Sequence, residues 1–399
     1  MLSYHFLLDL SLILLSTKVL GLVTRRFKMP QVVGALLAGL VLGPAMLNIL
    51  KETDFILQLS ELGVIVLMFC AGVESDLEDL KKTGKTSFII AVLGVLVPLI
   101  GGFLVGHFYG YISGDTGNTF FKNIFIGIVL TATSVSITVE TLKEMGKLNT
   151  SVGTAILGAA IIDDILGIVG LTLVTSLSDT SVNVSSVLLK IVGFFIFAII
   201  VGIIFYNIFK RWSEREDRDR RRFIIAAFVF CLVFAYISEE IFNVAGITGA
   251  FIAGLTLSNI NKKEYIEARL GVVSYTLLSP VFFASIGLKI VLPKMDINMI
   301  IFATLLTIVA ILSKIIGCGL GAKLCKYSKK ESFQIGIGMV SRGEVALIVA
   351  SKGAALGLIS STMLGPIVIV AVITTIISPI LLKLAFRSKK ESLQVDLVK

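Results

Sequence analysis

Apolar runs long enough to cross a bilayer recur along almost the whole of this 399-residue chain. A hydrocarbon core of about 30 Å needs roughly 20 helical residues at ~1.5 Å each. With no water to satisfy the backbone there, only α-helices and closed barrels span. Barrel strands alternate apolar and polar residues, and these runs do not, so the sequence predicts an all-α polytopic membrane protein. Composition agrees: 56% of residues are hydrophobic and 16% charged, against about 45–50% and about 25% in soluble domains.

Thirteen segments are expected to cross as helices: residues 4–24, 30–49, 55–76, 85–110, 120–145, 150–177, 186–209, 221–240, 242–260, 268–292, 298–323, 332–355 and 360–387. The first lacks the basic start and small-residue cleavage site of a signal peptide and is kept as a span. Lys and Arg concentrate in the odd-numbered loops: Arg25, Arg26 and Lys28; Lys81, Lys82 and Lys85; Lys143 and Lys147; the run from Lys210 to Arg222; Lys262, Lys263 and Arg269; and Lys323 to Lys330. Residues 177–185 and 354–361 hold none. The positive-inside rule then places the N-terminus outside and the C-terminus, with Arg387, Lys389 and Lys390, in the cytoplasm. This distribution, more than the net charge of +9, argues against a nucleic-acid partner. The stretch 210–222 suits acidic lipid headgroups, although a solvated topology anchor is the favoured reading. Cys70, Cys231, Cys318 and Cys325 have no metal or redox spacing, and His5 and His107 are too few for a metal site.

An internal repeat divides the chain. Gly34-Ala35-Leu36-Leu37-Ala38-Gly39-Leu40-Val41-Leu42 returns as Gly249-Ala250-Phe251-Ile252-Ala253-Gly254-Leu255-Thr256-Leu257. In the same order Phe69 to Glu74 meets Ala284 to Lys289, Ile126-Gly127-Ile128 meets Ile335-Gly336-Ile337, and Ile161 to Leu166 meets Val372 to Ile377. Segments 1–6 therefore pair with 8–13 around segment 7. Partners an odd number of spans apart cross in opposite directions, which is an inverted-topology repeat of the kind secondary transporters use. The match also isolates one chemical difference: Asp163 and Asp164 stand where the second copy has Thr374 and Thr375.

Those aspartates lie at the centre of segment 150–177, where one charge costs about 2.5–3.5 kcal/mol on insertion scales. Adjacent helical residues point about 100° apart, so one can bind an ion while the other engages a fixed base. Their hard oxygens suit a small hard cation, and a proton competing for the same site suffices for exchange. Lys314 is a candidate partner well inside segment 298–323, where Gly317 and Gly321 allow close helix contact. Ser341-Arg342-Gly343-Glu344 is a poor lipid-facing helix and reads as an unwound stretch buried in protein. Its repeat counterpart is the hydroxyl-rich Thr131-Ala132-Thr133-Ser134-Val135-Ser136, which can either line an ion site or back-bond to its own helix. Glu239 and Glu240, at a segment end, read as peripheral.

Together these residues resemble the monovalent cation:proton antiporter superfamily, in particular the electrogenic branch that includes NapA and, more distantly, NhaA, alongside Kef-type membrane domains. The resemblance is carried by Pro30 to Pro44, Leu67 to Gly72, Thr131 to Ser136, Asp163-Asp164, Lys314 with its glycines, and Ser341 to Glu344. It implies an NhaA-like fold of two inverted six-helix repeats joined by a linker helix, with two crossing discontinuous helices. Residues 1–76 and 221–292 would form a scaffold that makes a homodimer, 85–177 and 298–387 a core that moves like an elevator, 186–209 the linker, and 388–399 a short cytoplasmic tail. It further implies Asp164 as principal Na+ ligand and Asp163 as a second ligand that forms a breakable salt bridge with Lys314. Thr131, Thr133 and Ser134 would lie beside the ion, with Arg342 and Glu344 balancing the half-helix ends.

The function so implied is electrogenic exchange of Na+ or Li+ for protons across the prokaryotic cytoplasmic membrane, with no cofactor beyond the transported ions. K+/H+ exchange on the same machinery is an alternative, weakened by the stop at Lys399, which leaves no nucleotide-binding domain. Rivals from other classes are a sodium-coupled organic-anion symporter of related fold and a non-transporting membrane sensor.

Overall fold

The computed structural model describes residues 4–27, 29–113, 119–178, 184–215, 221–290, 296–355, 359 and 363–387. In chain order the helices are α1 (His5–Arg26), α2 (Gln31–Leu42), α3 (Asp54–Glu74), α4 (Leu77–Ser113), α5 (Thr119–Thr131), α6 (Val135–Glu144), α7 (Ser151–Ser178) and α8 (Val184–Arg215). They continue with α9 (Arg221–Tyr236), α10 (Gly246–Thr256), α11 (Lys263–Val273), α12 (Ser279–Leu288), α13 (Ile297–Leu324), α14 (Lys329–Gly338), α15 (Glu344–Ala355) and α16 (Leu364–Phe386). Single π-helical turns, Ile237–Ile241 and Ser274–Leu278, close α9 and join α11 to α12. The described residues are all-helical, with no strand.

Ten helical segments are long and apolar enough to cross a membrane, counting α5 with α6 as one and α11 with α12 as one. The other three expected spans take a different form. Segment 30–49 is helical only to Leu42, because Gly43 precedes Pro44 and takes an extended conformation. Segment 242–260 reduces to α10, since Asn243 sits at φ 55° just before it. Segment 332–355 is split between α14 and α15.

Several loop assignments also move: Arg25 and Arg26 end α1, Lys210 lies in α8, Arg221 and Arg222 open α9, Lys323 lies in α13, and Lys329 and Lys330 open α14. Lys81, Lys82 and Lys85 lie in α4 rather than a loop, because Asp76 caps the helix at once: its carboxylate accepts from the backbone N–H of Glu78 at 2.7 Å and of Asp79 at 3.2 Å. Lys263 and Arg269 belong to α11, and Lys143 to the last turn of α6. Residues 388–399, with Lys389 and Lys390, lie outside the described residues, as do 216–220 of the basic run.

The duplicated glycines set how the short helices pack. A Cβ on Gly39 of α2 would overlap the Ala284 carbonyl of α12, while one on Gly254 of α10 would overlap the Phe69 carbonyl of α3. In the converse direction Gly287 of α12 abuts Leu36 and Leu40, and Gly72 of α3 abuts Phe251 and Leu255. Each pair occupies matched places in the two sequence copies, so each copy's short helix seats on the other copy's long one. Small residues let the backbones touch where lipid supplies no hydrophobic drive. Gly72→Ala therefore has no rotamer by which to escape and is expected to cost at least about 1–3 kcal/mol, read as an earlier thermal unfolding midpoint in detergent. Gly84→Ala, in α4 with open space around it, should be neutral or slightly stabilising.

Candidate ion-coupling site

Two helix breaks meet at the centre of the fold. The first, residues 132–134, separates α5 from α6; the second, residues 339–343, separates α14 from α15. The unpaired backbone groups satisfy one another: Ser134 N–H donates to the Ser341 carbonyl at 2.8 Å, and the Ser341 hydroxyl donates to the Ser134 carbonyl at 2.8 Å. Thr138 adds a bond to the Gly338 carbonyl at 2.7 Å, and Thr375 of α16 donates to the Arg342 carbonyl. Irregular backbone at membrane depth is tolerable only when buried and paired in this way. Two helix N-termini and two C-termini, with their opposite partial charges, are thereby brought into one small volume.

Arg342, 1% exposed, sits inside this crossing. Its guanidinium donates to the Leu130 carbonyl at the end of α5 (2.5 Å) and to the Val340 carbonyl (2.8 Å). The side chain thus places a cation on two carbonyls that a continuous helix would have satisfied itself. Arg342→Leu would strip both acceptors of their donor, at about 1–3 kcal/mol per buried group. The expected result is a lower unfolding midpoint, only partly restored by Arg342→Lys because an ammonium lacks the two-pronged reach. Glu344 begins α15, but its side chain lies outside the described residues.

The aspartates lie in mid-α7 beside the first break. Asp163 is 2% exposed and Lys314 of α13 is fully buried. The ammonium donates to both carboxylate oxygens, at 2.9 and 3.1 Å. α4 packs against both α7 and α13. Its Gly94 makes room for this contact: a Cβ there would stand 2.5 Å from the Cys318 sulfur and 3.8 Å from Lys314 Nζ. Gly317 and Gly321 close the α13–α4 interface one and two turns on, against the backbone at Leu93 and Ile90.

Asp164 points elsewhere. It is partly exposed, and among the described residues its carboxylate has no hydrogen-bond or ion-pair partner. Of the two neighbouring carboxylates, one is held by a base and the other is partly exposed. No three His, Cys, Asp or Glu side chains converge among the described residues. A cation at Asp164 would therefore draw its remaining ligands from carbonyls, hydroxyls or water, which suits a weakly held monovalent ion better than a divalent one. Of the expected hydroxyl groups, that of Thr133 donates to the Thr131 carbonyl at 3.4 Å. The Thr131 hydroxyl donates back to the Ile128 carbonyl at 2.7 Å, and the Ser134 hydroxyl lies 3.4 Å from that of Ser136.

A second charged group was not anticipated. Glu144, at the end of α6, accepts from the backbone N–H groups of Gln31 (2.8 Å) and Val32 (3.2 Å), capping α2 from another helix. Lys143 lies 2.9 Å from Glu74 of α3. Glu239 performs the matching task for α10, accepting from Gly246 N–H at 2.6 Å. A sequence signal existed: α2 begins after Pro30 and α10 after Ala245, neither of which offers a capping side chain.

Residues 11–387 match the family model described as sodium/hydrogen exchanger, transmembrane. The chain is 40% identical to the Na(+)/H(+)-K(+) antiporter GerN of Bacillus cereus, over 99% of this chain and 100% of that protein. It is 41% identical to the probable Na(+)/H(+) antiporter GerT of the same organism, over 96% and 99%. In fold it is similar to the sodium proton antiporter MjNhaP1 from Methanocaldococcus jannaschii, with a TM-score of 0.75 at 19% identity, covering 96% of each chain.

Proposed function

This chain belongs to the sodium/hydrogen exchanger family, and from that premise we propose that it carries Na+ or Li+ against protons at the Asp163–Asp164 site. As a member of that family it is an integral membrane transporter, not an enzyme, and Na+ and H+ are cargo with no cofactor required. The observation that carries the reading is the pair of neighbouring carboxylates in unlike settings, Asp163 locked to Lys314 and Asp164 open. Asp164 takes the cation or a proton, never both. Asp163 takes a second proton when its bond to Lys314 breaks, so that protons outnumber cations and the cycle moves charge. Arg342 and Glu344 balance the half-helix ends.

All thirteen segments cross in this reading, as two inverted repeats, supported by the reciprocal glycine contacts of α2 with α12 and α3 with α10. The core helices α4–α7 and α13–α16 move past a scaffold of α1–α3 and α9–α12, which pairs two copies into a dimer. The C-terminus faces the cytoplasm of a prokaryotic cell. The structural neighbour supports the general fold and does not single out the NapA or NhaA branch.

K+ is a second candidate cation, because GerN is named for both Na+ and K+. Liposomes holding the purified protein, with an imposed pH gradient reported by a quenched dye, should dequench on addition of Na+ or Li+. A response to K+ alone would reassign the cargo, and no response to any of the three would sink the antiporter reading. Clamping the membrane potential should change the rate; an unchanged rate would refute electrogenic exchange.

A further inference from the structure

A groove of about 520 Å3 opens between α8, α10 and the first turns of α4, lined by neither aspartate. Its volume falls in the range of about 300–1,000 Å3 typical of small-molecule sites. The walls are apolar, Phe195, Ile199 and Ile203 on one side and Ile252 and Leu255 on the other. Its open side belongs to the lipid-facing surface, because Ile199, Ile203 and Ile204 of α8 are 61%, 57% and 53% exposed.

The polar lining gathers at one end. Gly202 of α8 faces Thr256 of α10, so Tyr206 and Asn259, further along each chain segment, share that end. Lys81 joins them, since Lys263, just past Asn259, donates at 3.2 Å to the carbonyl of Glu74, just before α4. Lys210 flanks this end just beyond the lining, its ammonium 5.8 Å from the centre of the Tyr206 ring. Among the described residues neither Lys81 nor Lys210 has a carboxylate partner; Asp79 pairs with Lys82 at 3.4 Å instead. Lys210 also begins the basic run 210–222, and the positive-inside rule puts this end at the cytoplasmic leaflet, where anionic lipids concentrate.

We propose that this groove binds one anionic phospholipid, an acyl chain in the apolar trough and the phosphate between Lys81 and Lys210. Tyr206 and Asn259 supply further hydrogen bonds to the headgroup. A zwitterionic lipid fits the trough equally well but brings its own cation to the rim, so the two lysines discriminate by headgroup charge. Two basic contacts of the usual strength correspond to a preference of roughly tenfold to thirtyfold. Binding needs only the bilayer and the groove, whatever ion the protein carries.

The test uses the intact protein in detergent, titrated with dioleoyl phosphatidylglycerol, with dioleoyl phosphatidylcholine, or with inorganic phosphate. Retained lipid is counted by native mass spectrometry and the thermal unfolding midpoint is followed in parallel. Phosphatidylglycerol should be retained as one copy and raise the midpoint at roughly a tenth or less of the phosphatidylcholine concentration. The Lys81→Gln/Lys210→Gln double variant should lose that preference, while Lys82→Gln keeps it. Ile203→Trp, which fills the trough, should lower retention of both lipids. Equal retention of the two lipids overturns the proposal. So does a preference that survives the double lysine variant, or a midpoint rise that inorganic phosphate alone reproduces.

Discussion

Asp164→Asn is expected to abolish cation-driven proton release in liposomes while leaving the protein folded. The substitution keeps size and shape but removes the charge that attracts a cation and the group that accepts a proton. A carboxylate and a monovalent cation about 4 Å apart attract by about 4 kcal/mol at an effective dielectric of 20. Losing that attraction lowers occupancy by roughly three orders of magnitude. Folding should survive because Asp164 has no partner among the described residues, so no bond is broken and no other buried charge is orphaned. An unfolding midpoint close to wild type, together with a flat dequenching trace, is the signature. Asp164→Glu, which keeps the charge on a longer stem, should retain a measurable fraction of transport. If Asp164→Asn still exchanged Na+ at a comparable rate, the open carboxylate would not be the binding group.

The site was legible from sequence to the extent that membrane depth makes every charge conspicuous. Asp163, Asp164, Lys314 and Arg342 stand out because a hydrocarbon medium tolerates them only when paired or functional. The two helix breaks were visible for a related reason: Arg-Gly-Glu and a run of hydroxyls interrupt otherwise continuous apolar stretches. What escaped detection depends on partners distant in the chain. Glu144 caps α2 across a separation of more than a hundred residues; the bare start after Pro30 is visible locally, but which carboxylate will reach it is not. Nor does any local pattern set Lys143 against Glu74, a tie between α6 and α3. Lengths failed where one residue decides: Pro44 shortens α2, and Asp76 starts α4 early. Among the hydroxyls, Thr133 and Thr131 look equivalent in sequence. Both turn back on their own segment, Thr131 to the Ile128 carbonyl and Thr133, inside the break, to the Thr131 carbonyl.

Lys314→Met should separate the structural from the transport role of the buried pair. Removing the ammonium leaves the Asp163 carboxylate at 2% exposure without its base. Breaking one side of a buried ion pair costs about 3–5 kcal/mol, so the single variant should unfold several degrees earlier in detergent. Replacing both partners is a different experiment, because no charge is then stranded. Asp163→Asn/Lys314→Met should recover most of the lost stability, giving a coupling between the two positions of up to about 3 kcal/mol in a double-mutant cycle. Transport should respond differently from stability. The double variant retains Asp164 and can still take one cation or one proton, but it lacks the second titrating group. Exchange that persists while losing its dependence on membrane potential would assign the charge movement to the Asp163–Lys314 pair. Persistence of that dependence in a stable double variant would move the extra proton to another residue, and additive single-variant costs would mean the 2.9 Å contact contributes little to the fold.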